Sequence, residues 1–142
     1  MTKEKKFLLN EKIFNDTILI CDLPLSKFLL MNDSNYPWFI LVPKRSNIVE
    51  LFDLSKEDRI QLDNETVVVS KFINGSFKPD KINIATLGNI VSQFHVHIIA
   101  RFSNDNAWPE PVWGKLPPNK YTSSELKVLL NKFRKFSDKF EN

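Results

Sequence analysis

The sequence predicts an α+β protein: an antiparallel sheet of about five strands, helices packed on one side, and a C-terminal amphipathic helix. Three observations carry that expectation. Short β-branched and aromatic runs recur between clusters of Pro, Asn, Asp and Gly, as strands do between turns. Two later segments place apolar residues at helical spacing behind a Ser or Thr start signal. No repeat, low-complexity stretch or Gly/Ser-rich linker divides the 142 residues, so one domain over 1–142 is expected, long enough to bury a core.

Taken in order, Thr17 to Leu23 reads as a strand ended by Pro24. Phe28 to Met31 is a short second strand, followed by the turn residues Asn32-Asp33-Ser34-Asn35-Tyr36-Pro37. Trp38 to Val42 is a third strand, closed by Pro43 and the basic pair Lys44-Arg45, and its unbroken apolar run predicts burial on both faces. Ser55 opens a helix with Asp58 three residues on, and Leu62, Thr66, Val69 and Ile73 follow at near-helical spacing. Val67-Val68-Val69 pulls toward strand within that segment, and Asn74-Gly75 is expected to end it. Lys81 to Thr86 is a fourth strand, Gly88-Asn89 a loop, and Gln93 to Phe102 a fifth strand. Residues 103–121 are irregular, with four prolines and two tryptophans. Thr122 to Glu125 then starts a helix over about 122–140 with the stripe Leu126, Leu129, Leu130, Phe133, Phe136 and Phe140.

Composition excludes several classes. A hydrophobic share of 42% with 26% charged residues fits neither a disordered nor a fibrous chain. The N-terminal residues lack an apolar stretch of signal-peptide length, and no apolar run approaches a membrane span, so a cytoplasmic location off the membrane is expected. The single cysteine, Cys21, makes no internal disulfide and has no zinc-type spacing. The net charge of +3 is modest, and much of the excess lies at the ends, at Lys3, Lys5, Lys6 and between Lys127 and Lys139. Terminal charge of that kind reads as solvated surface, so nucleic acid is not the expected partner. The C-terminal basic helix could lie on a membrane, but packing onto the domain or a partner chain is the simpler expectation.

The only two histidines stand two residues apart in Gln93-Phe94-His95-Val96-His97-Ile98-Ile99. On a strand, Gln93, His95 and His97 would share one face while Phe94, Val96 and Ile98 pack behind it. Three readings compete for that row. The histidines could occupy a half-exposed face without chemistry. They could share a metal ion, with carboxylates supplied from elsewhere because no third histidine exists. Or one neutral imidazole could attack phosphorus while the other polarises the phosphate. Neighbouring residues favour the last reading. Gly88 and Asn89 form a loop whose N–H groups could approach an anion. Asn83 and Gln93 are neutral donors, and Arg101 shares the strand parity of His95 and His97.

The row resembles the histidine triad motif, His-φ-His-φ-His-φ-φ, with glutamine at the first position. The resemblance extends to Asn83, Gly88 and Asn89, and to Trp38-Phe39-Ile40-Leu41-Val42-Pro43-Lys44-Arg45, which is similar to the family's buried strand ending in Val/Ile-Pro-Lys/Arg. Ala107-Trp108-Pro109 resembles a downstream tryptophan-proline segment of some members. It covers roughly residues 17 to 115 and is nearest to a small bacterial branch with Gln at the first position.

That resemblance implies a nucleotide hydrolase or transferase needing no cofactor or metal. It implies His95 as the nucleophile on an α-phosphate, His97 as a phosphate contact, and Gln93 in the place of the histidine that orients the nucleophile. Asn83 and the Gly88-Asn89 amides match phosphate-side contacts, and Asn32 or Asp33 falls where a ribose-binding residue stands. Arg101 joins the expected substrate contacts through its parity. Trp38 takes the place of a further histidine found in many members. The implied substrate is a purine nucleotide derivative, a nucleoside phosphoramidate or dinucleoside polyphosphate, and the implied assembly a homodimer. A nucleotide-binding protein with little catalysis and a His-x-His metal module are the alternatives.

Overall fold

The computed structural model describes residues 5–140, and its centre is a strand with no exposed side. Every residue of β3 (Trp38–Pro43) is buried, as its continuous apolar run requires. It belongs to an antiparallel five-stranded sheet of β1 (Thr17–Asp22), β2 (Ser26–Met31), β3, β4 (Lys81–Ala85) and β5 (Val96–Arg101), in the order β1-β2-β3-β5-β4. Register sets Trp38 opposite Ile99 and Ile40 opposite His97.

Alternation along β3 divides the interior into two clusters. Phe39 and Leu41 point into the larger one, with Phe28, Leu30, Val96 and Ile98. Helix α2 (Lys56–Phe77) covers that side through Leu62, Val69 and Ile73. The C-terminal helices α3 (Ser123–Lys132) and α4 (Arg134–Asp138) complete it with Leu129, Phe133 and Phe136. Phe28 meets Phe133 and Phe136 edge-on, with ring centroids 5.6 Å apart in both pairs. Each such buried ring stabilises the packed state by about 1.5–3 kcal/mol, so the C-terminal stripe is committed to the domain rather than to a lipid surface. Trp38, Ile40 and Val42 face the second cluster, covered by α1 (Glu11–Asp16) through Ile13 and by Ala107 and Val112 of the irregular segment.

Several boundaries differ from expectation. Helix α2 starts as predicted, with Ser55 Oγ accepting from the Asp58 N–H at 3.1 Å. It runs through Asn74-Gly75 to Phe77 and stops at Lys78, whose φ of 49° lies in the left-handed region. Thr66 is not the innermost polar residue of its stripe. Glu65 is buried, and its carboxylate accepts the Leu25 and Ser26 N–H groups at 2.7 and 2.9 Å, pinning the β1–β2 turn to the helix. The C-terminal helix breaks at Phe133. Strand β5 begins at Val96 rather than Gln93: just before it, the Phe94 N–H donates to the Ile48 carbonyl at 2.9 Å rather than to a neighbouring strand. Among the described residues no helix is long and apolar enough to cross a membrane. Lys3 and the outermost ends of the 1–142 span lie outside the described residues.

Candidate functional site

A cavity of about 730 Å³ opens on the face of the sheet that carries the histidines. Ile13, Asn15 and Thr17 from α1 and the start of β1 form one wall, Met31, Asn32 and Asp33 another. Trp38 and Ile40 form the floor, with His95, His97 and Trp113 at one end. A smaller cavity of about 280 Å³, lined by Glu50, Thr86, Gly88 and Ser92, meets the first at His95 and Asn89.

Hydrogen bonds fix how each of the two rings is oriented. His95 Nδ1 lies 2.7 Å from the Gln93 carbonyl oxygen, which can only accept, so Nδ1 carries a proton and, in the neutral tautomer, Nε2 carries the lone pair. The Trp38 indole N–H can only donate, and it donates to His97 Nδ1 at 3.0 Å. His97 therefore carries its proton on Nε2, 3.3 Å from the Leu87 carbonyl oxygen. Burial, reinforced by the neighbouring His95 and opposed by the Leu87 carbonyl, pushes the His97 pKa down to about 4. At neutral pH His97 is a neutral donor. The ring centroids of His95 and His97 are 4.7 Å apart, and Trp113 stands edge-on to His97 at 5.1 Å.

Gly88 has a specific steric reason. A Cβ there would lie 2.9 Å from the Val91 carbonyl oxygen, too close without a backbone shift, and 3.9 Å from His95 Cε1, in ordinary contact with the ring. Asn89 lines both cavities. Asn32 and Asp33 line the large cavity, but each is also a structural acceptor. Asn32 Oδ1 takes the Tyr121 N–H at 3.0 Å, and Asp33 Oδ1 takes N–H groups of Asn35 and Asn119.

Three expected site residues stand elsewhere. Arg101 is 2% exposed and does not reach the cavity. Its Nε and Nη2 donate to Asp105 at 2.8 and 3.0 Å, its Nη1 to Asn83 Oδ1 at 2.9 Å, and Nη2 also to the Glu110 carbonyl at 2.8 Å. Asn83 is thereby the partner of Arg101 and not a cavity residue. Burial would raise the Asp105 pKa, but the Arg101 hydrogen bond and the Phe102 and Ala107 N–H groups outweigh it and hold the carboxyl at about 2. This network orders residues 101–110 beneath the Trp108 and Tyr36 rings, which lie 5.8 and 5.9 Å from the guanidinium. The third residue is Gln93, whose amide is turned toward the N-terminal segment and lines neither cavity. Trp38, Trp113 and the α1 residues are the ones that sequence reasoning did not assign to the site. Of these, Trp38 was flagged by its place on the Val-Pro strand, and Trp113 only as part of the Trp/Pro-rich segment that could close over a leaving group or merely pack.

Among the described residues no group of three or more His, Cys, Asp or Glu side chains could hold a metal ion together. His97 has both ring nitrogens engaged, to Trp38 and Leu87, which leaves His95 without an imidazole partner for a shared cation.

Fold and site together define an α+β domain with two imidazoles at the end of an apolar cavity, flanked by a close-packed glycine loop. The HIT domain matches residues 13–104, and the chain belongs to the histidine triad (HIT) family. Similar solved structures carry the same family name. A histidine triad protein from Bradyrhizobium japonicum is 45% identical, with a TM-score of 0.90 over 92% of this chain and 98% of that one. One from Marinobacter aquaeolei is 39% identical, with a TM-score of 0.93 over 96% and 99%. A third, from Sinorhizobium meliloti, is 40% identical, with a TM-score of 0.88 over 91% and 96%. No curated protein matches the chain in sequence. Membership supports a nucleotide-binding or hydrolase role.

Proposed function

We propose that the chain hydrolyses a purine nucleoside phosphoramidate or dinucleoside polyphosphate at the α-phosphate, with His95 as nucleophile. The observation that carries this reading is the His95 tautomer: a backbone carbonyl holds the proton on Nδ1 and leaves the Nε2 lone pair beside a cavity of nucleotide size. In the first step Nε2 forms an N–P bond while the bond from phosphorus to the leaving group breaks, and that group departs with the electron pair. An amine leaving group takes a proton from solvent, whereas a polyphosphate needs none. In the second step water attacks phosphorus, the N–P pair returns to Nε2, and the water proton passes to solvent. His97 Nε2–H, released from its long contact with Leu87, would donate to the charge building on the non-bridging oxygens. The apolar floor and α1 wall would hold the base, with Asn32 and Asp33 near the ribose.

Rapid quenching with substrate labelled in the nucleotidyl group should trap an adduct on His95. Full turnover by a His95→Ala variant would overturn the mechanism. A second reading, nucleotide binding with little catalysis, draws support from Gln93, whose engaged amide supplies no acid to the leaving group. Calorimetry with AMP and GMP beside a substrate panel separates the two, since tight binding without turnover favours the second. The expected homodimer remains a proposal, supported by the open edge of β4, where Ile84 is exposed. Sedimentation measures it directly.

A further inference from the structure

We infer that Gln93 is a positioning residue that straps the N-terminal segment against the catalytic strand, making α1 a wall of the cavity. The inference rests on the reading of His95 as nucleophile. The Gln93 amide makes two bonds to the backbone of the N-terminal segment. Its Oε1 accepts the Asn10 N–H at 2.8 Å, and its Nε2 donates to the Leu8 carbonyl at 2.8 Å. These two backbone groups flank one residue, as the groups gripped by a neighbouring strand would. A planar amide offers an acceptor and a donor side by side, which fits that pair. An imidazole cannot grip it, because its two nitrogens diverge. A carboxylate cannot either, because it has no proton to give Leu8.

The strap leads directly to the cavity. Asn10, held by Gln93, caps α1 by accepting the Lys12 and Ile13 N–H groups on Oδ1, at 2.8 and 3.4 Å. Helix α1 has six residues, too few to persist without tethers at its ends. Its far end is fixed to the sheet, where the Asn32 N–H donates to the Asp16 carbonyl at 2.9 Å. Between the tethers, Ile13 is buried and Asn15, Asp16 and Thr17 line the cavity. The backbone carbonyl of the same Gln93 fixes the His95 tautomer. One residue therefore sets the nucleophile with its main chain and the cavity wall with its side chain.

The test compares Gln93→Ala, Gln93→Glu and Gln93→His with the parent protein. It uses AMP calorimetry, turnover of an adenosine 5′-phosphoramidate, and amide exchange of residues 7–16. Loss of two hydrogen bonds is expected to weaken AMP binding and raise KM by about tenfold, with a smaller change in kcat. Exchange at Lys12, Ile13 and Phe14 should speed up. Gln93→Glu should also show faster exchange, and Gln93→His should not restore protection. Removing residues 1–9 should reproduce the Gln93→Ala phenotype, and the two changes combined should be no worse than either alone. If the truncated chain does not fold, exchange in the point variants decides. Unchanged exchange and KM, with a kcat loss that grows as the leaving group worsens, would overturn the strap and return Gln93 to the reaction. Exchange and AMP affinity need no turnover. If they change as expected while no substrate is cleaved, the strap stands and the hydrolase reading fails.

Discussion

His97 and Arg101 stand on the same face of β5, four residues and roughly 13 Å apart along the strand, yet they are employed differently. Around Arg101 the guanidinium is spent on Asp105, Asn83 and the Glu110 carbonyl, and it lines neither of the two cavities described. At the other end, His95 and His97 are each tied through Nδ1, His97 Nε2 keeps only a 3.3 Å contact to the Leu87 carbonyl, and both rings line the cavity. Strand parity puts both groups on one face, but only the histidine end lines the large cavity, which is where the proposed chemistry is placed. The saturated end anchors the 103–111 segment that leads on to Trp113 at the cavity.

The sharpest way to break this comparison is to remove one group from each end. His95→Ala should lower turnover by more than about a thousandfold while leaving the unfolding midpoint nearly unchanged. Arg101→Ala should do the reverse. It leaves Asp105 buried without its cation and should cost about 3–5 kcal/mol in urea denaturation, while the folded fraction keeps turnover within a few-fold. A large turnover loss in Arg101→Ala at conserved stability would mean that the guanidinium acts on substrate after all.

How much of this was readable in the chain follows the range of the interactions. The five strands, the both-sided burial of β3 and the packing of Phe94, Val96 and Ile98 behind the histidines follow from alternation, which is local. The His-x-His spacing and the Gly88 loop were legible because they lie within ten residues of each other. Gln93 was misplaced because its partners, Leu8 and Asn10, are more than eighty residues away. Arg101 was misplaced because its nearest acid, Asp105, stands in a segment with no periodicity to fix its direction. Helix α1 buries a single residue, Ile13, and so left no stripe to detect. Glu65 drew no assignment because the turn it caps is forty residues earlier.

The next contrast concerns protons. His97 holds its pKa near 4, so the folded protein resists a proton that the unfolded chain accepts near 6.5. Above about pH 6.5 both states are neutral and the group is silent. As pH falls from there toward 4, the unfolded state gains a proton first, and stability should drop by on the order of 3 kcal/mol. Urea denaturation of parent and His97→Asn proteins across that window measures the difference. An equal slope in both would remove His97 as the source.

The smallest expected effect tests what fixes that neutral ring. In Trp38→Phe the floor of the cavity stays aromatic, but His97 Nδ1 loses its donor. Only burial and the neighbouring His95 then oppose protonation, and the single proton can shift from Nε2 to Nδ1. The His97 pKa should rise above about 4, part of the acid-side stability loss should disappear, and stability at neutral pH should fall by about 1 kcal/mol. Turnover should decrease less than tenfold, because His95 keeps its own carbonyl partner. Nitrogen-15 spectra of the two imidazoles report both tautomer and titration. If His97 keeps its Nε2 proton and its pKa without the indole, then burial and the Leu87 carbonyl suffice, and Trp38 is packing alone.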